Sequence, residues 1–119
     1  DIAKHFGALG VTSARANTIY MLAHAFAQGK IDFGLCADPK KEMRKLMMIR
    51  GIGGWTAQYI AMRTMGWPDA FLETDSGVKK ALPGRTAKEL RVMAQAWRPW
   101  RSYATMNLWN TLQEERDVL

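Results

Sequence analysis

Residues 46–59 read Leu46-Met47-Met48-Ile49-Arg50-Gly51-Ile52-Gly53-Gly54-Trp55-Thr56-Ala57-Gln58-Tyr59. Three glycines fall within four positions, between two apolar stretches with helical spacing. A helix that stops, turns and restarts in so few residues needs a backbone free to adopt positive φ, which glycine supplies. The amides of such a turn, with the unpaired first N–H groups of the next helix, form an outward-facing nest for an anion. A phosphate fits it with little help from side chains. No Gly-Lys-Ser/Thr follows, which excludes a P-loop, and no strand precedes it, which excludes a dinucleotide fingerprint. On its glycines alone, the stretch reads equally as a tight turn between two helices that binds nothing.

Working outward, nearly every segment predicts helix. Thr12-Ser13 caps a helix with apolar positions Ile19, Leu22, Ala23 and Phe26, closed by Gly29. Asp38-Pro39 is a cap followed by proline at the first helical position, with Met43, Leu46 and Met47 as the inner stripe. After the glycines, a helix runs from about Trp55 to Met65 and stops at Gly66. Residues 67–72 form a loop, and a short helix runs from about Ser76 to Pro83-Gly84. Thr86-Ala87-Lys88-Glu89 is a capping box opening a helix to about Ala96, and Arg98-Pro99-Trp100-Arg101 breaks the chain before a last helix over 102–112. No segment has the alternation of a strand with turn signals on both sides. The expectation is one all-α domain over 1–119, an orthogonal bundle of short helices. Met43, Met47, Met48, Met62 and Met65 are core candidates, as are Trp67 and Trp97.

Bulk properties narrow the function. At 119 residues and 48% hydrophobic content the chain has the size and apolar mass of one domain. No apolar run approaches a membrane span, and no basic-then-apolar leader opens the sequence, so an intracellular, cytoplasmic protein is expected. Asp1-Ile2-Ala3-Lys4 reads like the middle of a helical element, and the sequence like a piece of something longer. A lone cysteine, Cys36, excludes a disulfide framework and an all-cysteine iron–sulfur site within the chain. His5, His24 and Cys36 have no partners at ligand spacing, so no metal site is expected from side chains. The net charge is +6 and uneven: residues 39–101 hold 13 Lys/Arg against 5 Asp/Glu, the remainder 4 against 6. Such a basic block suits a polyanion, and suits a solvated basic face as well.

Ile49-x-Gly51-Ile52-Gly53-x-x-Thr56-Ala57 resembles the helix-hairpin-helix motif of DNA-binding proteins, here over about residues 43–65. Arg50 stands where that family often has proline. About twenty residues on, Phe71-Leu72-Glu73-Thr74-Asp75 places an aspartate at a helix start. Together these resemble the helix-hairpin-helix (HhH-GPD) superfamily of DNA glycosylases. Ala96-Trp97-Arg98-Pro99-Trp100-Arg101-Ser102-Tyr103-Ala104, then Leu108-Trp109, is similar to its 3-methyladenine DNA glycosylase II (AlkA-type) branch. The resemblance runs from about Val11 to Trp109, and implies the C-terminal portion of such an enzyme, a partial HhH-GPD domain.

The resemblance implies a monomeric base-excision-repair glycosylase acting on double-stranded DNA that carries an alkylated purine such as 3-methyladenine. Arg50, Gly51, Ile52, Gly53, Gly54 and Thr56 would hold a DNA phosphate, and hairpin carbonyls could hold Na+ or K+ against it. No other cofactor is expected. Asp75 matches the catalytic aspartate, although on its own it reads as a helix cap, and the two roles can coexist. Trp55, Tyr59 and Trp109 match positions lining the base pocket. An electron-poor, cationic purine suits an electron-rich aromatic face. Relatives with lyase activity carry lysine where this chain has Trp55, and tryptophan forms no Schiff base. The resemblance therefore implies a monofunctional enzyme that leaves an abasic site, with no such role for Lys79 or Lys80 and Glu73 as a loop residue. Two other readings are a non-catalytic helix-hairpin-helix DNA-binding module and a helical protein–protein adaptor.

Overall fold

The computed structural model describes residues 1–117. These are helical, with no strand among them, so the fold is all-α. No helix among the described residues is long and apolar enough to cross a membrane. The chain divides into two compact units, residues 1–57 and 58–119.

The first unit holds α1 (Ile2–Gly7), α2 (Ser13–Ala27), α3 (Pro39–Met47) and the opening turn of α4 (Gly54–Thr64). Its caps are those the sequence spells. The Thr12 hydroxyl accepts from the Arg15 amide, and the Asp38 carboxylate from the Lys40 and Lys41 amides just before Pro39. At the start of α1 the Asp1 carboxylate accepts from the Lys4 amide. Ile31, Leu46, Ile49 and Ile52 are buried. Glu42 is buried with them, accepting from the Asp32 amide at 2.9 Å and the Lys45 ammonium at 2.7 Å. Burial alone would push its carboxyl up, but these donors more than offset that and hold it below the usual value.

One core assignment fails in this unit, that of Met47 and Met48, and the apolar positions of α2 lie largely open. On α2 only Ala16 is buried, while Ile19 and Phe26 are exposed. Helical spacing says which face is apolar, not whether anything packs on it. Met47 and Met48 are also exposed, at the end and C-cap of α3. There the chain turns into the hairpin, and Leu46 and Ile49, three residues apart, take the inner positions.

The second unit holds the rest of α4, then α5 (Ser76–Ala81), α6 (Ala87–Met93), a 3-10 turn (Ala94–Trp97) and α7 (Arg101–Asp117). The capping box of α6 is complete: Thr86 Oγ1 accepts from the Glu89 amide while Glu89 accepts from the Thr86 amide. The chain tightens to 3-10 before Pro99, because the residue ahead of proline disfavours α geometry. α7 runs past the expected end at residue 112 to Asp117, through strong helix formers. Phe71, Val78, Leu90 and Ala94 form one core cluster, with Leu82, Met93, Trp97 and Leu108 packed on it. Met62, Ala70 and Leu72 form another, with Tyr59, Trp67, Met106 and Trp109 packed on it.

The loop over residues 67–74 is pinned to α7. Buried Ser102 donates to the Trp67 carbonyl at 2.7 Å and accepts from the Ala70 amide at 2.9 Å, and its own amide donates to the Pro68 carbonyl. The buried Arg101 guanidinium grips Asp69 through two bonds of 2.7 and 2.8 Å. These bonds hold the Asp69 carboxyl below its ordinary value. Asp69→Ala should therefore lower stability at pH 7 by about 2–3 kcal/mol, somewhat less than for a fully buried pair, by leaving Arg101 unpaired. A depressed carboxylate contributes above its unfolded value, about 3.9, and loses that contribution as pH falls through the lower folded value. Urea unfolding of both forms should show the gap closing as pH drops below about 4.

Candidate active site

Asp75 is the N-cap of α5, and its Oδ2 accepts from the Val78 amide at 2.9 Å. The same oxygen accepts from the Trp109 indole Nε1–H, delivered from α7, at 2.8 Å. The cap and the candidate site residue are one side chain. Its backbone is fixed as well: the Asp75 amide donates to the Leu72 carbonyl at 2.9 Å, and Leu72 is buried. One residue earlier, the Phe71 amide donates to Gln58 Oε1 at 2.9 Å. The carboxylate thus ends a loop held at several points, half-buried with its direction set by two donors.

Trp109 can reach Asp75 only because residue 77 is glycine. A Cβ there would come within 2.8 Å of Trp109 Cδ1 and 2.9 Å of both Trp109 Nε1 and Asp75 Oδ2. Tyr59, on α4, lies beside Trp109 with ring centroids 6.2 Å apart and planes tilted by 47°. Both rings pack on the Met62–Ala70–Leu72 cluster, which limits their movement. The Arg63 guanidinium carbon lies 5.5 Å from the Tyr59 centroid and 5.8 Å from that of Trp109. The group thus holds an oriented carboxylate, two aromatic faces and a cation. A carboxylate so placed can stabilise a developing positive charge or orient a water. Glu73, nearby in sequence, pairs with Arg91 at 2.8 Å.

The hairpin of the first unit is built around Gly51. Its φ is +98°, and a Cβ there would clash with the Thr18 hydroxyl of α2. That hydroxyl lies 2.9 Å from the Arg50 carbonyl and 3.0 Å from that of Ala14, so it buttresses the turn. Ile52 is buried, with its amide bonded to the Ile49 carbonyl at 3.1 Å, and the Gly53 carbonyl accepts from the Ala57 amide at 3.0 Å. A Cβ on Gly53 or Gly54 would meet nothing. Those two positions leave room for an approaching group, whereas Gly51 is required by the fold. Gly51→Ala should lower the melting temperature, with about 1–2 kcal/mol from backbone handedness alone and more from the Thr18 clash. Gly53→Ala should leave it nearly unchanged.

Of the residues singled out from sequence, Asp75, Tyr59 and Trp109 come together in the second unit. Arg50, Gly51, Ile52, Gly53, Gly54 and Thr56 lie on the hairpin and the start of α4 in the first unit. Trp55 is there too, in the first turn of α4 and 40% exposed. Sequence reasoning missed Arg63, Gly77 and Thr18. The first had a signal, since it lies one helical turn past Tyr59, and so did the second, two residues past Asp75. Thr18 is 32 residues from the carbonyl it supports, and nothing local marks it.

No protein-family model matches the chain. Curated relatives do. DNA-3-methyladenine glycosylase 2 of Escherichia coli (strain K12) is 38% identical over 104 residues, covering 87% of this chain and 37% of the relative. A probable bifunctional transcriptional activator/DNA repair enzyme AlkA of Mycobacterium tuberculosis is 40% identical over 112 residues, 90% of this chain and 22% of the relative. A DNA-3-methyladenine glycosylase of Bacillus subtilis (strain 168) is 36% identical over 80 residues, 61% of this chain and 26% of the relative. The chain thus spans between about a fifth and two fifths of the length of these relatives.

Proposed function

We propose that this chain, which belongs to the AlkA-type family of DNA-3-methyladenine glycosylases, supplies the carboxylate and an aromatic wall of a site that hydrolyses the N-glycosidic bond of alkylated purines in DNA. The observation that carries this reading is the 2.8 Å bond from the Trp109 indole to Asp75 Oδ2, at a glycine that alone permits it.

The target base leaves the duplex first, at a cost of a few kcal/mol that is smaller for a weakly paired, damaged base. As the bond between sugar C1′ and the base nitrogen breaks, its electron pair leaves with the base and positive charge builds on the sugar. The Asp75 carboxylate faces that charge, stabilises it and orients the water that adds to C1′. Val78 and Trp109 hold the carboxylate in one direction, so no reorientation is needed as the charge develops. Tyr59 and Trp109 offer faces on which the base stacks. Gly53 and Gly54, open on the Cβ side, let a DNA phosphate approach the amides that open α4, and a monovalent cation at the hairpin carbonyls would bridge to the same phosphate. The substrate is double-stranded DNA, the protein acts as a monomer, and its place is with the DNA in the cell.

Trp55 offers no amine, so the product is an abasic site in an unbroken strand. The test is a duplex carrying one 3-methyladenine, incubated with the protein that carries this sequence. Free base should appear while the strand stays whole until alkali is added. Scission without alkali would contradict the monofunctional reading. Salt-dependent binding with no base released would leave only a DNA-binding module.

A further inference from the structure

The place of Asp75 follows from a short chain of contacts that begins on α4. Its amide donates to the Leu72 carbonyl at 2.9 Å, so Asp75 goes where residues 71 and 72 go. Their side chains are buried in different clusters, Phe71 against Trp97 with ring centroids 5.9 Å apart, and Leu72 with Met62. The Phe71 amide donates to Gln58 Oε1 at 2.9 Å. Gln58 sits on α4 directly before Tyr59 and is half-buried. We infer that Gln58 is a positioning residue: by holding the loop at Phe71, it fixes the Asp75 carboxylate in register with the Tyr59 ring carried by the same helix. This rests on the proposed function and deepens it, since it names what sets the carboxylate against its aromatic wall.

A glutamine side chain is usually exposed, and fixing it costs rotamer freedom. That cost is offset where its oxygen meets a donor that water does not reach. Phe71 is only 2% exposed, so its amide would be left unsatisfied without this acceptor. The pins just upstream come from another helix: on α7, Ser102 accepts from the Ala70 amide and Arg101 grips Asp69. The same helix delivers Trp109 to Asp75. Gln58 ties the loop to α4 instead. Without that tie the α7 contacts persist, and the loop can shift against the helix that bears Tyr59. A displacement on the order of 1 Å is enough to slow a reaction without weakening binding.

The test is single-turnover base release from a duplex carrying one 3-methyladenine, with excess protein, well below the melting temperature of each form. Gln58→Met keeps the length of the side chain and deletes the oxygen. It should lower the saturating rate by roughly 10–30-fold, with the half-saturating protein concentration unchanged. Gln58→Glu restores an acceptor at the same reach and should recover most of that loss. Hydrogen exchange at the Phe71 amide should quicken in Gln58→Met, and the Trp109 indole N–H resonance, which reports the bond to Asp75, should move. If Gln58→Met does not fold, Gln58→Asn, one methylene short of the amide, carries the same test. A saturating rate equal to the parent's, or a fall that Gln58→Glu does not recover, would overturn the inference. If the parent itself releases no base, the glycosylase reading falls on its own. The Trp109 resonance then decides the role of Gln58: movement in Gln58→Met that Gln58→Glu reverses supports it, and an unmoved resonance overturns it.

Discussion

Asp75→Asn should cut base release by roughly 10²–10³-fold, while DNA affinity stays close to that of the parent. The substitution separates the two jobs of this side chain. Asparagine caps helices about as well as aspartate. Its side-chain carbonyl can accept from the Val78 amide and the Trp109 indole as Oδ2 does now. The start of α5 and the position of Trp109 should therefore persist, and thermal stability should change little. In the proposed reaction, what is lost is the negative charge that would face a sugar becoming positive in the transition state. A merely structural aspartate would show the reverse pattern, with activity retained and any loss appearing in the melt. Single-turnover release with excess protein, alongside a binding titration, tells the two apart.

Gly77→Ala should be nearly as damaging to activity, by up to about 100-fold, through displacement rather than loss of charge. The added methyl would lie 2.8 Å from Trp109 Cδ1 and 2.9 Å from Asp75 Oδ2, so the indole or the carboxylate must move. Either movement breaks the bond that orients the carboxylate. On stability two effects oppose. Alanine is favoured over glycine inside a helix by about 1 kcal/mol, and the crowding offsets that gain. The signature is a large fall in base release with a small change in melting temperature. Trp109→Phe is the companion, because it keeps an aromatic face and deletes only the N–H. If Gly77→Ala and Trp109→Phe both retain full activity, the indole does not orient Asp75.

The fold was largely legible from sequence because its helix starts carry their own signals. Thr12, Asp38, Asp75 and Thr86 each cap the helix expected behind them, since capping depends only on residues three apart. Exposure was less legible. Ile19, Phe26, Met47 and Met48 have apolar side chains at helical spacing, yet they lie open, because periodicity carries no information about what packs against a face. In the site, Asp75, Tyr59 and Trp109 could be named from motif positions, but not the bond between Asp75 and Trp109. Those two residues are 34 apart and meet only through the packing of α5 against α7. Gly77 shows the same limit: read alone, it is a poor helix former in a six-residue helix, and its reason is the indole it admits. Of the three hairpin glycines, Gly51 alone is demanded by backbone conformation, a distinction the string Gly-Ile-Gly-Gly does not contain.

The central claim is that the Asp75 carboxylate faces the sugar whose bond is broken. Its most direct test is a crystal structure of the protein bound to a duplex holding a pyrrolidine abasic mimic, whose ring nitrogen stands in for the positive sugar. The account predicts that nitrogen within about 4 Å of the Asp75 carboxylate, at ion-pair range, with Trp109 still bonded to Oδ2. A mimic bound with its nitrogen more than about 8 Å from Asp75, near a Debye length away, would contradict it.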